Sequence, residues 1–219
     1  MVLLDQVGDD SSKLKSSPVP RKKTFFASLV SNIFSILVFS AIVFVFINFP
    51  AFLLISKFKI SPQSVAIQGA ESSNTNEPTE VKQFEDNTIF IPRIGVKAPI
   101  IWDVGSGEVM DKLQNGVVHI EGTGHIDEQK NTFLTGHSSN YWWRGGDYNS
   151  VFALLPQLEK GDEIFVTYHG KLEKFTVSDK KEVKKQDVSD YLLSDKKQLT
   201  LMTCVPVGTN LRRMLIFAN

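Results

Sequence analysis

The stretch "TLMTC", residues 200–204, ends in the only cysteine of a 219-residue chain. A thiolate is among the strongest nucleophiles a side chain offers. With no second cysteine there is no intramolecular disulfide and no CxxC zinc pair. Cys204 is therefore a packed filler, an intermolecular link or a reactive thiol. Alternation along "KQLTLMTC" puts Cys204 on one face with Met202 and Thr200, and Leu199, Leu201 and Thr203 on the other. The turn residues of "VPVGTN" follow, so the thiol stands at a strand end, where a barrel can present a side chain at its mouth.

A nucleophilic thiol needs a histidine within reach and often a cation for the developing oxyanion. The chain has four histidines. His169 falls in a turn, His119 inside the strand "VVHI", and His125 in the polar loop "GTGHIDEQKN". His137 is the best placed. It follows the apolar strand "NTFLTG" and opens the loop "SSNYWWRGG", and Gly136 before it allows close backbone approach. Trp142 and Trp143 in that loop either wall a peptide groove or pack a corner. Thr203, beside the cysteine, is a further candidate for substrate contact. The cation comes from "LRRMLIFAN", a strand joined to Cys204 by a short loop and so its antiparallel neighbour. Arg212 and Arg213 point to opposite faces, and alternation without the register does not say which shares the face of Cys204.

These residues sit in a chain of four parts. Residues 1–23 form a polar tail ending in "RKK". Residues 24–55 carry no charge and are rich in Phe, Ile, Val and Leu, enough for a helix across a bilayer, which takes about 20 apolar residues. A cleaved leader has a shorter apolar region, about 7–15 residues, and a small-residue cleavage site. The run therefore reads as an anchor, with Pro50 marking a kink or an end. Lys13, Lys15, Arg21, Lys22 and Lys23 precede it and only Lys57 and Lys59 closely follow. This bias predicts a cytoplasmic N-terminus and an extracellular remainder. Residues 56–86 read as a flexible spacer. Residues 87–219 form the folded domain.

In that domain short β-rich runs recur: "TIFI", "PIIW", "VVHI", "NTFLT", "DEIFVTY", "KLEKFTV", "KQLTLMTC" and "LRRMLIFA". Two of them form a hairpin about His169-Gly170. Short helices are expected at 106–113, 148–155 and 187–193. The fold class is mainly β, a small barrel or sandwich of about eight strands behind one N-terminal membrane helix. Lys+Arg and Asp+Glu balance at 24 each, so no basic footprint for nucleic acid exists.

The motifs together resemble the sortases, membrane-anchored cysteine transpeptidases of bacterial cell envelopes. "TLMTC" is similar to their TLxTC signature and "TGHSS" to their catalytic-histidine motif. "IPRIGVKAPI" resembles their first barrel strand and the loop after it. "GVVHIEGTGHIDEQKNTFLTGH" and "GDYNSVFALLPQLEKGDEIFV" resemble the segments on either side of the histidine. The likeness runs collinearly over about 86–219. It implies a closed sortase β-barrel and a site of Cys204, His137 and an arginine placed some nine residues past the cysteine, which is Arg213, with Arg212 as the alternative. It also implies the partners: secreted proteins bearing an LPxTG-like C-terminal motif, and an amine acceptor from a peptidoglycan precursor or a protein lysine. No second apolar span follows the domain and no aromatic-containing lid motif precedes it. The expectation is a housekeeping or general anchoring type rather than a pilus polymerase.

Other readings are set against it. L,D-transpeptidases carry a Ser-His-Gly-Cys type cluster, absent around Cys204. Papain-like proteases place cysteine before histidine in the chain, the reverse of this order. A membrane-tethered binding module would need no thiol matched with a histidine and an arginine. No cofactor is expected. Some sortases bind calcium between two acidic loops, and His119, Glu121, His125, Asp127 and Glu128, with Asp187, Asp190 and Asp195 further on, are the residues such a site would use. None of these loops has EF-hand spacing.

Overall fold

A computed structural model describes residues 23–60, 85–140 and 145–219. The tail 1–22 and most of the predicted spacer, 61–84, lie outside the described residues, as do Trp142 and Trp143. The chain divides into two compact units, Met1–Ala41 and Ile42–Asn219.

Helix α1 (Lys23–Ile47) is the only described helix long and apolar enough to cross a membrane, over Ser28–Ile47. Helix α2 (Phe49–Ile60) follows after Asn48. Pro50 falls in the first turn of α2, where its missing N–H costs no helical bond. Residues 56–60 therefore extend a helix instead of opening the spacer. Phe58 of α2 is only 5% exposed and belongs to the main apolar core, with the Arg93 guanidinium 5.5 Å from its ring.

Eight strands follow: β1 Thr88–Ile91, β2 Val96–Val104, β3 Val117–Ile120, β4 Asn131–Thr135, β5 Glu163–Tyr168, β6 Lys171–Lys184, β7 Gln198–Val205 and β8 Arg212–Ala218. They close a barrel in the order β1-β2-β3-β4-β7-β8-β6-β5. Closure leaves no free sheet edge. Two pairings are parallel, β2 with β3 and β4 with β7; the rest are antiparallel. The β5–β6 hairpin turns at His169 and Gly170, both with positive φ, 50° and 73°. That is the backbone a two-residue hairpin turn demands.

Alternation sorts the side chains. Ile89, Ile91, Leu134, Leu199, Leu201 and Ile216 fill the barrel, each of them fully buried. Such burial contributes about 1.5–3 kcal/mol per large aliphatic side chain. Phe133, Val183 and Leu215 form a second cluster, against Met202, Tyr191 and Leu192. The crossover from β6 to β7 covers it through a 3-10 turn, Lys185–Tyr191. Of the three expected helices, one is a single α-turn, α3 (Val109–Lys112), and this crossover is the second. The third, 148–155, is a run of turns ending in the 3-10 turn Leu155–Gln157.

Asn131, 1% exposed, ties this crossover down. Its Nδ2 donates to Tyr191 O and Leu192 O, both at 2.9 Å, and its Oδ1 accepts the Thr200 hydroxyl at 2.7 Å. Asn131→Ala leaves these groups unpaired in the interior. It should cost about 2–4 kcal/mol in chemical denaturation. A loss within experimental error of zero would contradict the role.

Candidate active site

Three neighbouring strands, β4, β7 and β8, end or begin at one mouth of the barrel. The parallel β4–β7 register pairs Thr135 with Met202. Continued past the end of β4, it brings Gly136 and His137 alongside Thr203 and Cys204. Two hydrogen bonds hold that continuation: Gly136 N–H to Met202 O at 3.1 Å and Thr203 Oγ1 to Gly136 O at 3.0 Å. On the other side, β7 and β8 pair Cys204 directly with Arg213. Directly paired residues in an antiparallel ladder share a face. The register left open by alternation thus resolves. Arg213 stands beside the thiol and is 8% exposed, while Arg212 is exposed and pairs with Glu182 at 2.9 Å.

His137, Cys204 and Arg213 line one cavity of about 550 Å³. Met202, Ile120 and Leu113 give it an apolar wall, and Phe44, Ile47 and Asn48 border it from the helical segment. Thr203 is not part of that wall. It is 1% exposed and its hydroxyl donates to Gly136 O, which holds the histidine loop. A residue that sequence reasoning missed completes the site. Asn210, in the β7–β8 loop, accepts from Arg213 Nη2 at 2.6 Å, and its Oδ1 lies 3.9 Å from Cys204 Sγ. Its signal was a carboxamide inside the short loop joining the two key residues.

The polar groups are arranged for use. Arg213 Nη1 donates to Arg212 O at 3.0 Å, and among the described residues no carboxylate pairs with the guanidinium. It is a half-satisfied, buried cation next to a thiol. His137 is held through its backbone, its C=O accepting the Phe152 N–H at 2.9 Å. Its Nε2 is buried and has no hydrogen-bond partner. An orphaned buried nitrogen is costly unless a reaction partner takes it up. Burial also lowers the His137 pKa below the ordinary 6.5. The imidazole is thus mostly neutral at pH 7, able to accept a proton and then return it.

Elsewhere, Asp103, His119 and His125 place ligand atoms within 4.8 Å of one another. Among the described residues this group does not include Glu121, Asp127, Glu128, Asp187, Asp190 or Asp195.

Comparison with known proteins bears on the family and the fold. The sortase-domain family model matches residues 89–219, more than half the chain. Sortase D of Bacillus subtilis strain 168 is 30% identical over 134 residues, covering 59% of this chain and 60% of that relative. The match thus spans less than two thirds of the relative's length. The pilus-related sortase C of Group B Streptococcus superposes with a TM-score of 0.52 at 24% identity, covering 78% of this chain and 87% of that one. Sortase C-1 of Actinomyces oris gives 0.50 at 26%, covering 72% and 97%.

Two outcomes follow. An added Cβ at Gly136 would lie 2.5 Å from the Phe152 ring. Gly136→Ala should therefore lower stability by about 1–3 kcal/mol and shift the His137 imidazole NMR signals. An unperturbed spectrum would contradict the tight seat. The second concerns pH. The unfolded chain protonates this histidine near 6.5, the folded chain only at lower pH. The stability tied to neutral His137 is complete above that value and is lost as pH falls through the folded-state pKa. Denaturation between pH 7.5 and 5 should show a smaller acid loss in His137→Gln than in the wild type. Equal losses would mean His137 is not held neutral.

Proposed function

The chain belongs to the sortase family, and from that premise we propose that it is a membrane-anchored cysteine transpeptidase acting on secreted proteins with an LPxTG-like C-terminal motif. The observation that carries the reading is the row formed by His137, Cys204 and Arg213 across three adjacent strand ends, with Arg213 free of any carboxylate among the described residues.

In this reading the substrate peptide lies in the cavity with its scissile carbonyl against Cys204. His137 Nε2, neutral and unpartnered, takes the thiol proton. The Sγ electron pair forms the new S–C bond, and the carbonyl oxygen gains negative charge. Arg213 stabilises that charge through charge-assisted hydrogen bonds. Its Nη2 is already aimed by Asn210. Collapse of the tetrahedral species breaks the peptide C–N bond, and the imidazolium gives its proton to the leaving nitrogen. A thioacyl enzyme remains. The acceptor amine, from a peptidoglycan precursor or a protein lysine, then attacks. It loses its proton to His137, and Cys204 departs as the thiolate. The apolar wall lowers the local dielectric and so strengthens each of these interactions.

Localisation belongs to the same proposal. The helix Ser28–Ile47 anchors the enzyme where secreted substrates emerge and raises their effective concentration. The basic residues before it place the domain outside the cell.

The test is turnover of a pool of LPxTG-type peptides with an amine acceptor by the full-length chain in detergent. Cys204→Ala should be inactive. Arg213→Ala should lose about 10²–10³-fold in kcat/KM. Arg212→Ala, which removes only a surface ion pair, should lose less than about threefold. Full activity in Cys204→Ala would end the nucleophile assignment, and a larger loss in Arg212→Ala would reverse the roles of the arginines.

A further inference from the structure

Around the loop between β3 and β4 lies a second constellation that the thiol chemistry does not use. The loop between β3 and β4 carries His125, β3 carries His119, and β2 carries Asp103 near its end. His119 pairs with Leu134 across β3 and β4, and its ring turns to Thr123 and Gly124 of that loop. We propose that Asp103 Oδ1, His119 Nδ1 and His125 Nε2 form a binding site for a divalent first-row transition metal of the zinc type, with a fourth position open to solvent.

The distances suit a single ion. His119 Nδ1 lies 3.3 Å and His125 Nε2 3.1 Å from Asp103 Oδ1. Ligands about 2.0–2.1 Å from a tetrahedral zinc stand about 3.3 Å apart. The tautomer of His119 suits it too. Thr123 Oγ1 donates to Ile120 O at 2.8 Å, so toward the imidazole it accepts, and His119 Nε2 carries the proton at 2.9 Å. Gly124 O is a second acceptor for that N–H, at 3.1 Å. Nδ1 therefore holds a lone pair facing a carboxylate oxygen with no proton of its own between them. The lone pair takes the Asp103 backbone N–H at 3.2 Å, and His125 Nε2 lies 3.2 Å from Asp103 Oδ2; a metal would replace both contacts.

The surroundings match what metal-bound histidines require. Each has an outer partner: Thr123 and Gly124 on His119, and Glu128, 3.4 Å from Nδ1, on His125. Such partners fix ring orientation and raise ligand basicity. Trp102 packs 5.0 Å from His119 and 5.6 Å from His125, and Tyr168 stacks on His125. Asp103 reaches the site through a break in the β2–β3 register between Ile101 and Val104, with φ at 53°. Two imidazoles and one carboxylate select zinc-type ions over calcium, which takes oxygen ligands. The site would clip β2 to the β3–β4 loop, and it stands or falls independently of the transpeptidase reading.

The test uses the full-length chain carrying Cys204→Ala, so that the thiol contributes nothing, stripped of metal in detergent. Calorimetric titration with Zn²⁺ should give one ion per chain, and Co²⁺ should give the intense visible absorption of a tetrahedral site. Zinc should raise the melting temperature. His125→Ala and Asp103→Ala, both at solvent-accessible positions, should each weaken binding at least tenfold. They should keep the circular dichroism of the metal-free parent. No saturable binding by the parent would overturn the proposal. So would parent-like binding by both variants, or displacement of zinc by millimolar Ca²⁺.

Discussion

The parallel pairing of β4 with β7 is the constraint on which the site rests. The two strands are separated in sequence by β5, β6 and two crossovers, yet they lie side by side in one register. Because parallel neighbours point the same way, both strand ends reach the same mouth, one delivering His137 and the other Cys204. Gly136 makes the approach possible, since any larger residue would meet Phe152. Thr203 and the Gly136 amide then lock the continuation with two hydrogen bonds. Antiparallel β8 completes the row from the opposite direction and sets Arg213 against the thiol.

The charge arrangement depends on that geometry. A guanidinium nearly buried without a carboxylate is costly to keep, and so is a buried imidazole nitrogen without a partner. The barrel core and the outer cluster about Phe133 hold the strands that carry them. Asn210 provides partial compensation, holding Arg213 through one neutral acceptor while leaving its charge for an incoming oxyanion. A carboxylate in that place would neutralise the cation before any substrate arrived.

Much of this was legible in the chain. All eight strands announce themselves as short runs rich in β-formers, and the His169-Gly170 turn through its residue types. His137 and Cys204 stood out because few residues of their kind are present. What escaped depends on long-range pairing. The choice between Arg212 and Arg213 needed the β7–β8 register, which alternation alone does not contain. The far half of β6, "SDKKEVK", lies beyond the expected run "KLEKFTV", but β8 pairs with it and Val183 reaches the outer cluster. Asp103 lies at a bulge, so no simple alternation predicts where it points.

The most direct measurement is the intact mass of the full-length protein after brief mixing with an LPxTG-type peptide pool and no amine acceptor. The account predicts a covalent acyl adduct confined to Cys204, released by added amine and absent in Cys204→Ala. An adduct on another residue, or peptide turnover with acyl transfer that persists in Cys204→Ala, would contradict it.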